Sequence, residues 1–308
     1  MRTYKIEKND SDQRIDKFIR KAVPKLSLPS IYKHIRKKNI TVNDKKIDIN
    51  YKLQLEDIVK IYLNDDITTK EKKATDFLSA KDILDVIYED ENIIVVNKPI
   101  GIVVQDDETK NPDTLNNRLL KYLHKKNEWD QDKETNFIPS FVHRLDRNTK
   151  GLIVGAKNVV SSRILSEKIK DREIEKYYLA KIHGIITPKQ AVLTAYLTEQ
   201  EHNTVKISKK PLSNESKQIV TEYKTISHDE NTSIIEVHLI TGRKHQIRAH
   251  MNFINHPLVG ERKYTNEFAK KDSKSYQYLI SYKIVFNFKQ NSGTLSYLKN
   301  KEIVLKNF

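Results

Sequence analysis

An aspartate, Asp146, lies among basic residues in a short polar segment between two apolar runs. The segment reads VHRLDRNTKGLI over residues 142–153, and Arg144, Arg147 and Lys150 all lie within four residues of the carboxylate. Nearby cations favour the ionised form of a carboxyl group, so we expect Asp146 to act as a nucleophile or a base and not as a proton donor. An aspartate in a basic turn is also a common salt-bridge residue, and the segment alone does not separate the two interpretations.

Two further segments carry side chains that could serve such a site. In KYYLAKIHG, Tyr178, Ala180 and Ile182 alternate, which predicts a strand with Tyr178 on its buried face, where an aromatic residue is more often part of the core. In TGRKHQIRAHM, a helix is predicted to begin after the glycine, with Arg243 and Arg248 near its start. Solvent exposure is the simplest expectation for Arg248 when that residue is considered alone.

The composition favours one kind of partner and excludes several classes of chemistry. The net charge of +15 favours a polyanionic partner such as nucleic acid, although solvated lysine-rich faces would give a similar surplus. The chain has no cysteine, so it has no disulfide, no thiolate nucleophile and no cysteine-based zinc site. His245, His250 and His256 lack the spacing of ligands on one helix face, so we expect no metal. The seven glycines form neither a GxGxxG nor a GxxxxGK[ST] loop, so we expect no nucleotide cofactor in such a loop.

The hydropathy of the chain gives an expectation about its location. No apolar run approaches the roughly 18 residues that suggest a membrane span. The N-terminal sequence, MRTYKIEKND, lacks the apolar core of a signal peptide. We therefore expect a cytoplasmic protein without membrane association, and we take a monomer as the working expectation.

At 308 residues the chain is long enough for two domains. A small N-terminal α/β unit is predicted over 1–70, with two amphipathic helices, short strands in ITV, KKI and DIVKIYL, and a turn at Asn43-Asp44. Either Ser27 or Ser30 is expected to cap the second helix. A polar linker is predicted over 71–84.

The remainder, 85–308, alternates strand and helix patterns. This alternation predicts an α+β domain built on a mainly antiparallel mixed sheet. The stretches 105–137 and 199–217 are polar and are predicted to be surface excursions from that sheet.

The N-terminal unit carries a family resemblance. Residues 14–18 (RIDKF), 30–31 (SI) and 40–45 (ITVNDK) resemble the alpha-L RNA-binding domain found in a ribosomal small-subunit protein and in several RNA-modifying enzymes. Asn39 and Glu56 stand where that domain usually has glycine. The resemblance implies RNA contacts by the basic run of the second helix, which would otherwise be an ordinary solvated face. The run consists of Lys33, Arg36, Lys37 and Lys38.

The segment around Asp146 closely resembles the signature loop of the RluA-type family of pseudouridine synthases, in which the aspartate after His-Arg-Leu is catalytic. Four other segments resemble the family in its order: NIIVVNKPIGIVV, KYYLA, TGRKHQIR and HPLVG. The resemblance implies that Asp146 is the catalytic carboxylate, that Tyr178 is the active-site tyrosine and that Arg248 pairs with Asp146. Glu261 stands where the family usually has aspartate.

The implied reaction breaks the N1–C1′ bond of a uridine, turns the uracil and joins C5 to C1′, without net redox change or cofactor. The uridine must first leave its stack in the RNA. Ionised Asp146 would attack C1′ or remove a proton from C2′, and the sequence does not choose between them. Tyr178 would stack on uracil and assist loss of the C5 proton. Arg147 or a neighbour would occupy the space left by the base, and the basic residues expected to hold RNA include Arg144, Arg147, Lys150 and Arg243.

An N-terminal RNA-binding unit on such a catalytic domain favours large-subunit ribosomal RNA as the substrate, with transfer RNA as the second choice. One alternative is a non-enzymatic RNA-binding protein, such as a ribosome assembly or stress factor. Another is a different RNA-modifying enzyme, such as a methyltransferase, which the glycine spacing disfavours because it leaves no ordinary cofactor loop.

Overall fold

A computed structural model describes residues 1–7, 9–63, 77–105, 111–131, 137–264 and 276–306. The described residues form two sheets, one of three strands near the N-terminus and one of eleven strands. The helices are α1 (Ile15–Ala22), α2 (Leu28–Arg36), α3 (Leu115–Lys125), α4 (Val159–Lys170) and α5 (Gln246–Phe253). The strands are β1 (Arg2–Lys5), β2 (Ile40–Val42), β3 (Ile58–Ile61), β4 (Val86–Glu89), β5 (Ile93–Lys98), β6 (Ser140–Phe141), β7 (Lys150–Ala156), β8 (Ile174–His183), β9 (Gln190–Gln200), β10 (Thr204–Ser208), β11 (Lys217–His228), β12 (Thr232–Leu239), β13 (Leu279–Phe286) and β14 (Glu302–Val304).

The N-terminal unit packs α1 and α2 on the small sheet, whose strand order is β1-β3-β2. Its core is apolar and includes Phe18, Ile31 and Val59, all fully buried. Ser27 caps α2, because its side chain accepts a hydrogen bond from the Ser30 amide at 3.4 Å. The basic run at the end of α2 is exposed along its whole length.

The turn predicted at Asn43-Asp44 is present, since both residues have positive φ, but the strand predicted over KKI is wrong. The Asn43 side chain donates to the Asp57 carboxylate at 2.7 Å and accepts the Ile58 amide at 2.8 Å. These bonds direct β2 onto β3, so only an isolated bridge at Lys45 remains of the predicted strand.

The large sheet has the strand order β10-β9-β11-β12-β8-β13-β7-β5-β4, with β14 paired to β13 and β6 paired to β7. Its described strand pairs are antiparallel except for the pair of β13 with β7, which is parallel. The predicted α+β architecture on a mainly antiparallel sheet is therefore confirmed. The single parallel seam brings the starts of β7 and β13 to the same edge of the sheet.

The stretch 105–137 is not a surface excursion, because it contains α3. Thr114 caps this helix by accepting the Asn117 amide at 3.2 Å. Leu115, Leu119 and Leu123 share one face at four-residue spacing and are buried against the sheet. The stretch 199–217 likewise contributes β10, an edge strand of the sheet.

Part of the predicted linker, 71–84, lies outside the described residues. Its described part packs on the large domain, since Phe77 is buried and meets the ring of Trp129 edge to face, with centroids 5.3 Å apart. The division into two domains remains a prediction. Within the described ranges, no helix has the length and apolar character needed to cross a membrane.

Replacing Leu119 with alanine tests the placement of α3. Leu119 is fully buried, so we expect Leu119→Ala to lower the free energy of unfolding by about 2–5 kcal/mol. Leu78→Ala removes the same atoms from a side chain that is 57% exposed, and we expect it to cost less than about 1 kcal/mol. Urea unfolding of both variants is the measurement, and equal stability of the two would contradict a buried α3.

Candidate active site

The loop that carries Asp146 ends where β7 meets β13. Gly151 pairs with Ser281 across the parallel seam and has a φ of +115°. A Cβ at this position would lie 2.2 Å from the Ser281 carbonyl oxygen, so the close approach of the two strands requires glycine. The seam therefore fixes the C-terminal end of the loop.

A buried lysine fixes the middle of the same loop. Lys98, at the end of β5, is fully buried and its ammonium donates to the carbonyls of Pro99, Ile102 and Arg147 at 2.8–2.9 Å. The Arg147 carbonyl also accepts the Gly101 amide at 2.9 Å. Burial lowers the pKa of Lys98 to about 7, against the opposing effect of the Asp146 charge. The sequence alone suggested only a strand end at Lys98, so this positioning role was missed.

His143, in the signature segment, has a structural part to play. Its Nε2 atom accepts the Val154 amide at 3.1 Å, which ties the start of the loop to β7. Burial, followed by the charge of Lys176, lowers the pKa of His143 to about 3. The ring is therefore neutral at pH 7 and available as an acceptor for that amide.

Arg248 is buried, contrary to the simplest sequence expectation, and bridges two carboxylates. Its Nη1 atom donates to Asp146 Oδ2 at 2.9 Å. Its Nε and Nη2 atoms donate to the two oxygens of Glu261 at 2.7 and 2.8 Å. Burial opposes the positive charge, but the hydrogen bonds and charge of Glu261, with those of Asp146, raise the pKa of Arg248 above its ordinary value. The arginine is consequently held as a cation in one orientation.

Glu261 is a residue whose importance the sequence did not reveal. Its side chain is fully buried, and Oε1 also accepts the amides of Lys263 and Tyr264 at 2.7 and 3.2 Å. The adjacent Gly260 has a φ of +80°, and a Cβ there would lie 2.0 Å from the Tyr276 carbonyl oxygen. The turn around Glu261 is thus built to aim both carboxylate oxygens at Arg248.

Helix α5 aims Arg248 at the loop because its other polar residues hold it against β11. Gln246 donates to the Val220 carbonyl at 3.1 Å and to the Thr221 hydroxyl at 2.9 Å. One turn later, His250 Nδ1 lies 3.0 Å from the same hydroxyl. Two residues after Gln246, Arg248 lies on a different face of the helix and reaches Asp146.

Tyr178 lies on β8, buried with only 5% of its surface exposed, at the level of the loop. Its strand partner is Ser281, which in turn pairs with Gly151, so Tyr178 stands about 10 Å from the end of the loop, or two strand spacings. Burial, followed by the charge of Asp146, raises the pKa of Tyr178 above its ordinary value. The phenol is therefore neutral, which suits stacking on a base better than removal of a proton.

A cleft of about 470 Å³ opens in front of Asp146. Arg144 and Arg147 line it, but Lys150 and Arg243 do not. Lys150 borders a different groove on the sheet, next to Pro99, and Arg243 is exposed before α5. Tyr178 is not among the lining residues, which are Val103, Val104, Gln105, Arg144, Leu145, Asp146, Arg147, Asn148, Asn203, His245, Arg248, Gly260, Arg262, Lys263 and Gln277.

The cleft is basic beyond the residues singled out from the sequence. Arg262 and Lys263 follow Glu261 directly and lie at the rim. Lys263 donates to the carbonyls of His202 and Asn203, at 3.3 and 2.8 Å, which ties the β9–β10 hairpin to this side of the cleft. Among the described residues, no group of three His, Asp or Glu side chains is arranged to hold a metal ion.

Comparison with known proteins identifies the family. A family model described as RNA pseudouridylate synthase matches residues 92–253, which include Asp146, Tyr178 and Arg248. The chain belongs to the RluA-type RNA pseudouridine synthases. It is therefore an enzyme of the isomerase class, which excludes the non-enzymatic RNA-binding alternative.

Individual pseudouridine synthases support the same assignment. An uncharacterized RNA pseudouridine synthase of Mycoplasma capricolum is 34% identical, with 100% of this chain and 98% of the relative covered. The ribosomal large subunit pseudouridine synthase C of Rickettsia bellii is 32% identical, with 90% of each chain covered. The human RNA pseudouridylate synthase domain containing 4 shares the fold, with a TM-score of 0.55 at 22% identity over 72% of this chain and 88% of that one.

Removal of the Glu261 carboxylate tests the bridge in this synthase. We expect Glu261→Ala to lower the free energy of unfolding by about 3–5 kcal/mol, because buried Arg248 loses two of its three hydrogen bonds to carboxylates. Glu222→Ala is the control, since that side chain is 50% exposed opposite His238, and we expect it to cost less than about 1 kcal/mol. Chemical denaturation distinguishes them, and similar costs would argue against a stabilising bridge.

Proposed function

We propose that this synthase converts uridines of large-subunit ribosomal RNA to pseudouridine, as a monomer in the cytoplasm, with Asp146 as the carboxylate that acts on the sugar. The observation that carries the proposal is the 2.9 Å ion pair between Arg248 and Asp146 at the base of a basic cleft. A carboxylate that is hydrogen-bonded to a buried, fixed cation is held in one orientation. A fixed orientation is needed both for attack on C1′ and for removal of a proton from C2′.

The charges around the cleft suit an RNA strand that presents a flipped nucleotide. Arg144, Arg147, Arg262 and Lys263 line the same cleft as Asp146, so phosphates on either side of the target would have cations to contact. The cleft volume falls within the range of about 300–1,000 Å³ that is usual for ligand sites. Contacts of this kind offset the few kcal/mol needed to unstack a uridine.

Tyr178 is the third residue of the proposed site. Its ring is held on β8 at the level of the loop, and its pKa is raised, so it would present a neutral aromatic face. Uracil that enters the cleft would stack on this ring while the sugar meets Asp146. Because Tyr178 is 5% exposed, the nucleotide must displace or move the groups that cover the ring.

Two observations favour ribosomal RNA of the large subunit over transfer RNA. The relative in Rickettsia bellii is named as a ribosomal large subunit pseudouridine synthase and is covered over 90% of its length. The basic run on α2 is exposed and lies outside the cleft, so it would offer a second surface to an RNA. A large, folded RNA is able to reach both surfaces at once, which raises affinity through the effective concentration of the second surface.

The substrate class is tested by tritium release from uridine C5, because C5 loses its hydrogen when it bonds to C1′. Large-subunit ribosomal RNA, small-subunit ribosomal RNA and transfer RNA are prepared with C5 label from cells that lack this gene. We expect release from the large-subunit RNA alone. Release from transfer RNA alone would contradict the ribosomal assignment while leaving the reaction intact.

The basic run on α2 is tested by a fourfold replacement with glutamine. We expect weaker RNA binding. We also expect a weaker dependence on salt, because the negative slope of log K against log salt should decrease in magnitude by about 0.7–0.9 for each phosphate that no longer contacts a cation. The rate at saturating RNA should not change, because the run is remote from Asp146 in the sequence and does not line the cleft. The replaced residues are Lys33, Arg36, Lys37 and Lys38.

A charge-matched control separates specific RNA binding from net charge. The control variant replaces four exposed lysines of the β10–β11 region with glutamine, and these replacements change the total charge by the same amount. Equal effects of the two fourfold variants on the salt slope would contradict a dedicated RNA surface on α2. The control residues are Lys209, Lys210, Lys217 and Lys224.

A further inference from the structure

His245 is a second basic group beside Asp146, and no step of the proposed reaction uses it. Its Nε2 atom lies 3.7 Å from Asp146 Oδ2, the same oxygen that Arg248 contacts. The His245 side chain is 9% exposed and borders the cleft. Within the described residues, Arg248 and His245 both approach the Asp146 carboxylate at Oδ2, so Oδ1 is left for a substrate.

Hydrogen bonds define which His245 nitrogen carries the proton. The Val205 amide donates to the Tyr264 hydroxyl oxygen at 3.0 Å, and that hydroxyl lies 2.7 Å from His245 Nδ1. The Asp146 carboxylate beside Nε2 only accepts hydrogen bonds, so a neutral ring keeps its proton on Nε2 and its Nδ1 atom accepts the Tyr264 O–H. Burial lowers the pKa of His245, against the opposing effect of the Asp146 charge, and therefore favours the neutral ring. Nε2 therefore carries the proton and faces a carboxylate oxygen, which only accepts.

The backbone at His245 also indicates a role for its side chain. The residue has a φ of +53° and precedes the first turn of α5, but its side chain does not cap the helix. Left-handed backbone costs energy for a non-glycine residue and is often kept where a side chain must be placed. Asparagine would adopt this conformation readily and could cap the helix as well. The ring at this position instead spans Tyr264 and Asp146.

We propose that His245 is a positioning residue that donates its Nε2–H to Asp146 Oδ2 when a nucleotide fills the cleft. The 3.7 Å separation is longer than a hydrogen bond, and catalytic hydrogen bonds commonly shorten on substrate binding. With Arg248 on the same oxygen, His245 turns the carboxylate so that Oδ1 faces the sugar. The inference rests on the proposed function, because it assigns His245 a task only if Asp146 acts on the uridine.

Two replacements of His245 by amide side chains separate this role from a purely structural one. The side-chain amide of glutamine reaches the position of Nε2, whereas the amide of asparagine reaches only the position of Nδ1. We expect His245→Asn to lower the single-turnover rate about ten- to a hundredfold without weakening RNA binding, the effect of removing one hydrogen bond to a charged group. His245→Gln should be faster than His245→Asn by about tenfold, because it keeps a donor for Asp146.

Between the two variants, the order of stability should be the reverse of the order of rate. Asparagine fits the left-handed backbone better than glutamine, so His245→Asn should unfold at the higher urea concentration. The rates are measured as C5 tritium release with excess enzyme, and RNA affinity is measured by filter binding. His228→Asn, at an exposed histidine, serves as the control and should match the wild type.

The outcomes separate this inference from the function on which it rests. If wild-type enzyme releases no tritium from RNA of cells lacking the gene, the proposed function fails and the role of His245 fails with it. If the wild type is active and His245→Asn is as fast as His245→Gln or faster, only the inference is overturned. A rate order of wild type, then His245→Gln, then His245→Asn supports it.

Discussion

One buried cation shared between two carboxylates determines the site. Arg248 holds Asp146 through one hydrogen bond and Glu261 through two, so the arginine is fixed mainly by Glu261 and presents its remaining arm to Asp146. Taken together, these three residues carry one positive and two negative charges. Burying a set of side chains with a net negative charge costs free energy unless cations lie nearby. The basic rim of the cleft, with Arg144, Arg147 and Lys263, supplies them and is equally suited to phosphates.

The sheet converts this local arrangement into a rigid one. Its parallel seam places the loop before β7 beside the start of β13, and β8 follows on the other side of β13. Gly151 allows the close approach at the seam, and Lys98 ties the Arg147 carbonyl of the loop to the Pro99 and Ile102 carbonyls that follow β5. These contacts restrain the loop, so the Asp146 carboxylate is already oriented when a substrate binds. Orientation before binding is what a carboxylate needs to act at a sugar carbon.

Local patterns in the sequence predicted much of the fold. The alternation of Tyr178, Ala180 and Ile182 gave the buried face of β8, and apolar periodicity gave α1 and α5. The leucines of α3 show the same periodicity, at positions 115, 119 and 123, but the polar flanks of 105–137 hid that helix. The signal was present and could have been found by testing the stretch for a four-residue apolar spacing.

The site could be predicted only in part, because its contacts join distant segments. Asp146 and Arg248 are 102 residues apart, and only the family resemblance connected them in advance. Glu261 is one acidic residue among basic neighbours, and no spacing rule marks it as the partner of Arg248. The function of Lys98 depends on carbonyls from two separate loops, which become neighbours only in the folded chain. Such residues are recognised by burial and hydrogen bonding, which a sequence does not display.

The central claim is that Asp146 performs the chemistry, and replacing its carboxylate with an amide of the same shape tests it most directly. C5 tritium release is compared for the wild type, Asp146→Asn and Asp113→Asn, whose carboxylate forms an ion pair with Arg118 outside the cleft. We expect wild type and Asp113→Asn to release tritium, and Asp146→Asn to be slower by at least about a thousandfold while still binding RNA. Release by Asp146→Asn within about tenfold of the wild-type rate would contradict the account, because the removal of one hydrogen bond alone could explain it.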